Sequence, residues 1–208
     1  MERYGEKPKR FTREWFEYVW EYYKIHIIVT ILVIAAVVYT WVSIATRPYY
    51  DLYVCFAGEA FLEDSAKEAL SMELKNYAED VNGDGKVQVK ILDYSVPDSF
   101  DDQQYAQTMD TKLYLEFQAG DAYVFVMPKE KADKLIEDEA LNGVFEETSE
   151  WGAAVGDNKY FAAAGENGVL KKCGISDFYI GVRNDMSRND EGRQQYENAE
   201  VAAKAMMG

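Results

Sequence analysis

Residues 25–46 read IHIIVTILVIAAVVYTWVSIAT, and no other stretch constrains the chain so strongly. These 22 residues lie between Lys24 and Arg47 and include no Asp, Glu, Lys or Arg. At about 1.5 Å per residue, a helix of this length extends roughly 33 Å, enough to cross the roughly 30 Å hydrocarbon core of a bilayer. The sequence therefore predicts a transmembrane helix between a short tail, residues 1–24, and a larger domain, residues 47–208.

The distribution of basic residues predicts how the span is oriented. After the span, Arg47 is the only basic residue before Lys67, whereas the tail carries Lys7, Lys9, Arg10 and Arg13. Because basic flanks stay on the cytoplasmic side, we expect a cytoplasmic N-terminus and an extracellular C-terminal domain at the cell membrane. Residues 43–45, SIA, would also suit a signal-peptide cleavage site, but the apolar run exceeds the usual length of about 7–15 residues. An uncleaved signal anchor is therefore favoured.

The tail is aromatic as well as basic. Amphipathic aromatic side chains favour the headgroup level of a membrane, so we interpret this segment as a juxtamembrane belt. His26, the only histidine of the chain, lies at the cytoplasmic edge of the predicted span, where an interfacial position is favoured. The aromatic side chains nearest the span are Trp15, Phe16, Tyr18, Trp20, Tyr22 and Tyr23.

The charge of the chain is concentrated after the span. The net charge is −15, and residues 25–208 carry 16 basic and 32 acidic residues. A domain this acidic repels phosphate backbones, which argues against binding of nucleic acid. It suits divalent cations or basic partners, and it also suits plain solubility.

Apolar patterns in residues 47–208 predict an α/β fold. Strands and helices alternate along the chain, and such an order predicts a three-layer domain with a mostly parallel sheet. The segment at residues 86–94 alternates apolar and polar residues, as an edge strand does. At the start of the first predicted helix, Ser65 and Glu68 have the spacing of a capping box. Predicted strands are residues 51–57, 86–94, 121–127, 160–164 and 177–183, and predicted helices are residues 65–81, 101–119, 128–141 and 191–207.

Two stretches resemble a known family. Residues 113–128, LYLEFQAGDAYVFVMP, with the opening strand DLYVCFAGE, resemble one lobe of extracellular solute-binding proteins, the type II periplasmic-binding-protein fold. The resemblance implies the strand order 2-1-3 and ligand contacts in loops after the strands. Those proteins close two lobes on a ligand, whereas this chain has material for about one. By position, the implied ligand-binding residues are Gly58, Glu59, Ser95, Asp98 and Lys129.

The whole chain also resembles small membrane-anchored proteins of unknown function from Gram-positive gut bacteria. This resemblance rests on the entry segment WFEYVWEYYKIHI and the turn DVNGDGKV. It implies no particular activity.

Residues 80–86, DVNGDGK, match the start of a calcium-binding loop. Such a loop places oxygen ligands on alternate residues, here the side chains of Asp80, Asn82 and Asp84 and the carbonyl of Lys86. The twelfth position is Ile91, where a bidentate carboxylate is required, so the match is incomplete. The same residues make a good tight turn from helix to strand. A bound Ca²⁺ and a plain turn both remain open, and the plain turn is favoured.

Catalytic motifs are scarce in residues 47–208. Without a histidine there, His-based catalysis and His-ligated zinc are excluded, and no G-x-S-x-G or phosphate-binding glycine loop occurs. Cys55 and Cys173 could form a disulfide or remain two free thiols. The favoured hypothesis is a non-catalytic domain that binds a protein partner, accessory to a transporter or envelope complex. The alternatives are a solute- or cation-binding domain, with a homodimer supplying the second wall, and a carboxylate-based cell-wall hydrolase.

Overall fold

The computed structural model describes residues 9–97, 101–137, 141, 143–150 and 158–208. Its contacts divide the chain into two compact units, Met1–Pro48 and Tyr49–Gly208. The helices are α1 (Arg13–Ala45), α2 (Asp64–Leu74), α3 (Gln103–Ala119), α4 (Lys129–Glu137), α5 (Val169–Lys172) and α6 (Asp190–Met207). The strands are β1 (Leu52–Phe56), β2 (Val89–Asp93), β3 (Val124–Pro128), β4 (Phe161–Ala163) and β5 (Phe178–Val182).

The first unit is organised by α1, a continuous helix of 33 residues. Its N-cap is Thr12, whose hydroxyl oxygen accepts a hydrogen bond from the backbone N–H of Trp15 at 3.3 Å. The helix therefore begins well before the predicted span and includes the aromatic segment, where no Pro or Gly interrupts it. Arg13 and Glu17 form an i,i+4 ion pair at 3.4 Å, which favours the helical state of this part. In length and composition, α1 is sufficient to cross a membrane.

The second unit contains a mixed sheet of five strands in the order β2-β1-β3-β5-β4. The expected order 2-1-3 is present in the first three strands, which are parallel. The expectation of a mostly parallel sheet is wrong for the rest, because β5 is antiparallel to both β3 and β4. The connection between β4 and β5, residues 164–177, contains only the four-residue helix α5, whereas a parallel crossover usually carries a longer helix packed on the sheet.

Helices cover both faces of this sheet. Alternate residues of β1 belong to different core clusters, with Val54 and Phe56 in one and Cys55 in the other. The first cluster includes side chains of α2, α5 and α6, and the second includes side chains of α3 and α4. Burial on both faces explains why β1 and β3 are continuous apolar runs. The alternating strand β2 lies at an edge of the sheet, as its pattern predicts.

The two cysteines are free thiols. Cys55 is fully buried in the second cluster, whereas Cys173 packs against the first, so the sheet separates them. The disulfide alternative is therefore absent from this structure. Burial raises the pKa of the Cys55 thiol well above its usual value, which makes it an inert core residue.

Local boundaries differ from the predictions around α2. The helix begins at Asp64 with Glu63 as its N-cap, and the hydroxyl of Ser65 donates to the Glu63 carboxylate instead of capping. The capping-box prediction is therefore wrong. The helix ends at Leu74 and passes into a 3₁₀ turn, Lys75–Tyr77, so the segment predicted as one helix over residues 65–81 is a shorter helix followed by a turn.

Candidate functional site

Several strands end on the same side of the sheet. We call this row of strand ends the carboxyl edge, as distinct from the outermost strands of the sheet. The parallel strands β1, β2 and β3 all end there, and β5 begins there because Phe178 is paired with Pro128. In open α/β sheets, ligand contacts come from loops at this edge. The family resemblance predicts that all five implied ligand-binding residues lie in these loops.

Gly58 and Ser95 contact each other across the loops after β1 and β2. The backbone N–H of Gly58 donates to the Ser95 hydroxyl oxygen at 2.9 Å, and the N–H of Val96 donates to the Gly58 carbonyl at 3.1 Å. Ser95 is fully buried, and a Cβ on Gly58 would lie 2.9 Å from the Phe56 ring. The structure thus brings the two residues together and uses their polar groups to join the two loops.

Asp93 is the residue at this edge that the sequence patterns missed. It ends β2, and its carboxylate accepts hydrogen bonds from the backbone N–H groups of Ser95 at 3.1 Å and Leu62 at 3.2 Å. Lys67 of α2 forms an ion pair with it at 3.0 Å. Asp93 therefore fixes the loops after β1 and β2 against α2. In the sequence, Asp93 stands out only as an oxygen-bearing residue two positions after the end of the calcium-loop pattern.

A surface groove of about 560 Å³ opens beside these loops. One wall comes from the start of α2 and the loop before it, and the other from the end of α5 and the turn before β5. The walls combine apolar and polar surface, and Phe61 at the rim is 49% exposed, with its ring edge-on to Tyr105 at 6.1 Å between centroids. This carboxyl-edge groove is lined by Phe61, Leu62, Glu63, Ser65, Ala66, Ala69, Lys172, Cys173, Gly174 and Ile175.

The other implied ligand residues lie apart from the groove lining. Glu59 is exposed in the loop after β1, and Lys129 is the exposed first residue of α4. Neither is among the residues that line the carboxyl-edge groove. Asp98 lies outside the described residues. Most of the groove was missed because its two walls are distant in sequence and carry no recognisable motif.

The acidic turn at residues 80–86 is closed by hydrogen bonds to its own backbone. The carboxylate of Asp80 accepts from the N–H groups of Gly83 at 2.8 Å and Gly85 at 2.7 Å. Asn82 and Asp84 each accept from the backbone N–H two residues later, at 3.0 and 2.8 Å, so the last of these bonds reaches Lys86. Gly83 and Gly85 have φ values of +70° and +79°, as the turn prediction requires.

Buried side chains hold both ends of this turn. Asp51 is 1% exposed and accepts hydrogen bonds from the N–H groups of Val81 at 2.9 Å and Gln88 at 2.7 Å. Asn198 of α6 accepts from the N–H of Glu79 and donates to its carbonyl, both at 2.9 Å. The turn is therefore fully organised by protein groups. Within the described ranges, no group of three or more His, Cys, Asp or Glu side chains is arranged to hold a metal ion.

At the opposite end of the sheet, Arg183 joins α3 to β5. Its guanidinium donates to the carbonyls of Glu116 at 2.8 Å and Gly120 at 2.7 Å, and it lies 4.8 Å from the centre of the Tyr123 ring. The residue is 2% exposed. These contacts satisfy carbonyls at the C-terminal end of α3, so Arg183 has a structural role.

No protein-family model, curated protein or solved structure matches this chain. Functional inference therefore rests on the geometry of the carboxyl edge and on the apolar helix α1.

Proposed function

We propose that this chain is a single-pass membrane-anchored protein whose α/β domain binds a partner protein without catalysis. In this proposal α1 anchors the chain with its N-terminus in the cytoplasm, and residues 47–208 lie outside the cell. The partner is a component of the cell envelope, such as a transporter subunit. The observation that carries the proposal is the open carboxyl-edge groove of mixed polarity with half-exposed Phe61 at its rim.

The shape of the groove favours a protein segment over a small solute. Sites for small molecules are concave and bury about 70–90% of the ligand surface. The carboxyl-edge groove is formed by one domain and is open to solvent, so it can cover one side of a ligand. Aromatic side chains such as that of Phe61 are enriched among the residues that dominate protein–protein affinity.

The chemistry of the groove supports binding without catalysis. Its ionisable side chains are Glu63, Lys172 and Cys173. Burial raises the pKa of the Cys173 thiol, with a further contribution from the negative charge of Glu73, so the reactive thiolate is disfavoured. These groups can orient a partner, but they do not form a nucleophile with an adjacent base.

Site-directed photocrosslinking in native membranes tests this proposal. The full chain carries p-benzoylphenylalanine in place of Phe61, and a control carries it in place of Leu115, which is 60% exposed on α3 and outside the groove. We expect one defined adduct with another protein from position 61 and none of that product from position 115. The additional substitution Ala66→Arg, which fills the groove, should remove the adduct. Equal products from both positions, or no adduct from position 61, would contradict the proposal.

The same experiment addresses the second candidate function, solute capture by a homodimer. The apolar side chains of the walls, together with one carboxylate, Glu63, and one amine, Lys172, would also suit a small amphipathic solute if a second wall closed the groove. An adduct between two copies of this chain would favour that function over binding of a different protein.

A further inference from the structure

The outer side of β2 offers backbone hydrogen-bonding groups. β2 ends the sheet, and the described part of the chain supplies no strand on its outer side. The backbone N–H of Tyr94 donates to the Phe56 carbonyl, and the Gln88 carbonyl accepts from the N–H of Leu52. The backbone N–H and C=O groups of the even-numbered residues of β2 therefore face β1. Since successive residues of a strand direct their backbone groups to opposite sides, Ile91 directs its N–H and C=O outward.

A second groove, of about 420 Å³, runs between α2 and this free edge. The hydroxyl of Ser71 donates to the Val89 carbonyl at 3.0 Å, so α2 covers the start of the edge and leaves the part around Ile91 open. Met72 is 70% exposed, and a flexible thioether side chain adapts to varied apolar partners. This β2-edge groove is lined by Lys67, Glu68, Ser71, Met72, Lys75, Lys90 and Ile91.

The residues that line the β2-edge groove include more lysines than carboxylates, although the protein as a whole is acidic. The chain has a net charge of −15, yet three lysines and one glutamate line this groove. Lys67 is paired with Asp64 at 3.6 Å and Asp93 at 3.0 Å. Lys75 and Lys90 are both exposed, and the Lys90 ammonium lies 5.3 Å from the centre of the Tyr50 ring.

The two exposed lysines lie on different sides of the free edge. Ile91 packs against the core cluster that includes α2, so its neighbour Lys90 points to the opposite face of the sheet. Lys75 follows α2 directly and lies on the α2 side. A strand placed beside β2 would therefore meet a lysine on each of its two faces.

We propose that the β2-edge groove binds an extended acidic segment of a partner protein, which adds as a sixth strand beside β2. Its backbone pairs with the N–H and C=O of Ile91, and its carboxylates contact Lys75 and Lys90. Strand addition with side-chain selection is an established mode of peptide recognition. A second copy of this chain is disfavoured at the same edge, because joining two β2 edges brings four lysines together. The proposal is independent of the carboxyl-edge groove.

Peptide binding to the full chain in detergent tests this proposal. The probe, called the Glu-Val peptide, is a short fluorescent peptide that repeats Glu-Glu-Val-Val, so that carboxylates lie on both faces of the added strand. The control, called the Glu-Pro peptide, repeats Glu-Glu-Pro-Pro and has the same charge, and its prolines remove backbone N–H groups on both sides of a strand. We expect the Glu-Val peptide to bind at least about tenfold more tightly than the Glu-Pro peptide, a difference of about 1.4 kcal/mol. Equal affinity for both peptides would overturn strand addition.

Charge-reversal variants test the role of the lysines. The pair Lys75→Glu and Lys90→Glu should weaken binding of the Glu-Val peptide by about tenfold or more. The control pair Lys112→Glu and Lys204→Glu changes the net charge equally at exposed residues that do not line the groove, and should alter binding by less than about twofold. Equal weakening in both pairs would show a general charge effect and overturn the assignment to this groove.

Hydrogen exchange on the unaltered protein provides a test that does not depend on any variant. The Glu-Val peptide should slow exchange of the Ile91 amide, because that N–H becomes a hydrogen-bond donor to the added strand. Unchanged exchange at saturating peptide would overturn the proposal. Slowing that depends on protein concentration without any peptide would instead identify a second copy of the chain as the occupant.

Discussion

At the scale of single residues, the polar side chains of the domain serve mainly to join elements. Asp93, Asp51, Asn198 and Arg183 each bond to backbone groups far away in sequence. Because a buried polar group without a partner costs about 1–3 kcal/mol, such residues define which loops lie together. They are difficult to predict, since a single Asp or Arg after a strand gives no indication of its distant partner.

The contacts of Glu146 predict that the stability of the fold depends on pH. The Tyr196 hydroxyl donates to the Glu146 carboxylate. Burial raises the pKa of Glu146 above its usual value of 4.5; the Tyr196 hydrogen bond opposes this shift, and further increases come from Glu200, Glu150 and Asp185. The folded state therefore binds its proton more tightly than the unfolded state, and this carboxyl contributes a stability that falls as the pH rises from 4.5 through the raised pKa.

The variant Glu146→Gln tests that sign. The amide keeps an acceptor for the Tyr196 hydroxyl and removes the titrating charge, so we expect a higher free energy of unfolding than the original protein at pH 7. The difference should shrink as the pH falls through the raised pKa of Glu146. Denaturant unfolding of both proteins between pH 4 and pH 7 measures it, with Glu197→Gln, an exposed α6 residue, as the control. A constant difference across this range would show that Glu146 is not responsible.

At the scale of elements, local patterns predicted the strands and most helices but not their final arrangement. The continuous apolar runs of β1 and β3 and the alternation of β2 predict burial and edge position, because each depends only on which faces are covered. The direction of β5 depends on how far the chain between β4 and β5 travels, and α5 is too short to give a distinct pattern. The carboxyl-edge groove likewise forms between the segment around Phe61 and the segment around Ile175. No local sequence pattern indicates that these two segments lie together.

The turn between α2 and β2 yields a prediction about calcium. Because Asp80 accepts two backbone hydrogen bonds and Asp51 and Asn198 hold the turn ends, we expect the turn to fold without an ion. Asp80→Ala should lower the free energy of unfolding by about 1–2 kcal/mol, and Asp84→Ala, which removes one such bond, by about half as much. Thermal unfolding with calcium or a chelator provides the check. A midpoint raised by calcium in the original protein but not in Asp80→Ala would instead establish a cation site.

At the scale of the whole molecule, a helix long and apolar enough to span a membrane precedes a strongly acidic α/β domain. The Lys and Arg residues before this apolar run, and their scarcity directly after it, predict a cytoplasmic N-terminus. The α1 helix begins at Arg13, so the aromatic segment and the apolar run form one element. A binding domain held at a membrane by such an anchor meets partners at a high local concentration, which makes a shallow groove effective even at modest intrinsic affinity.

This arrangement predicts which end of the chain an external protease can reach. The full chain carries one epitope before Met1 and a different one after Gly208, and protease is added to intact cells without their wall. We expect loss of the C-terminal epitope and protection of the N-terminal one until the cells are lysed, because the basic tail stays in the cytoplasm. Before digestion, both epitopes should be on one polypeptide, since an uncleaved signal anchor keeps tail and domain together. A C-terminal epitope found alone on a shorter chain would show cleavage near residues 43–45, and protection of that epitope in intact cells would reverse the orientation.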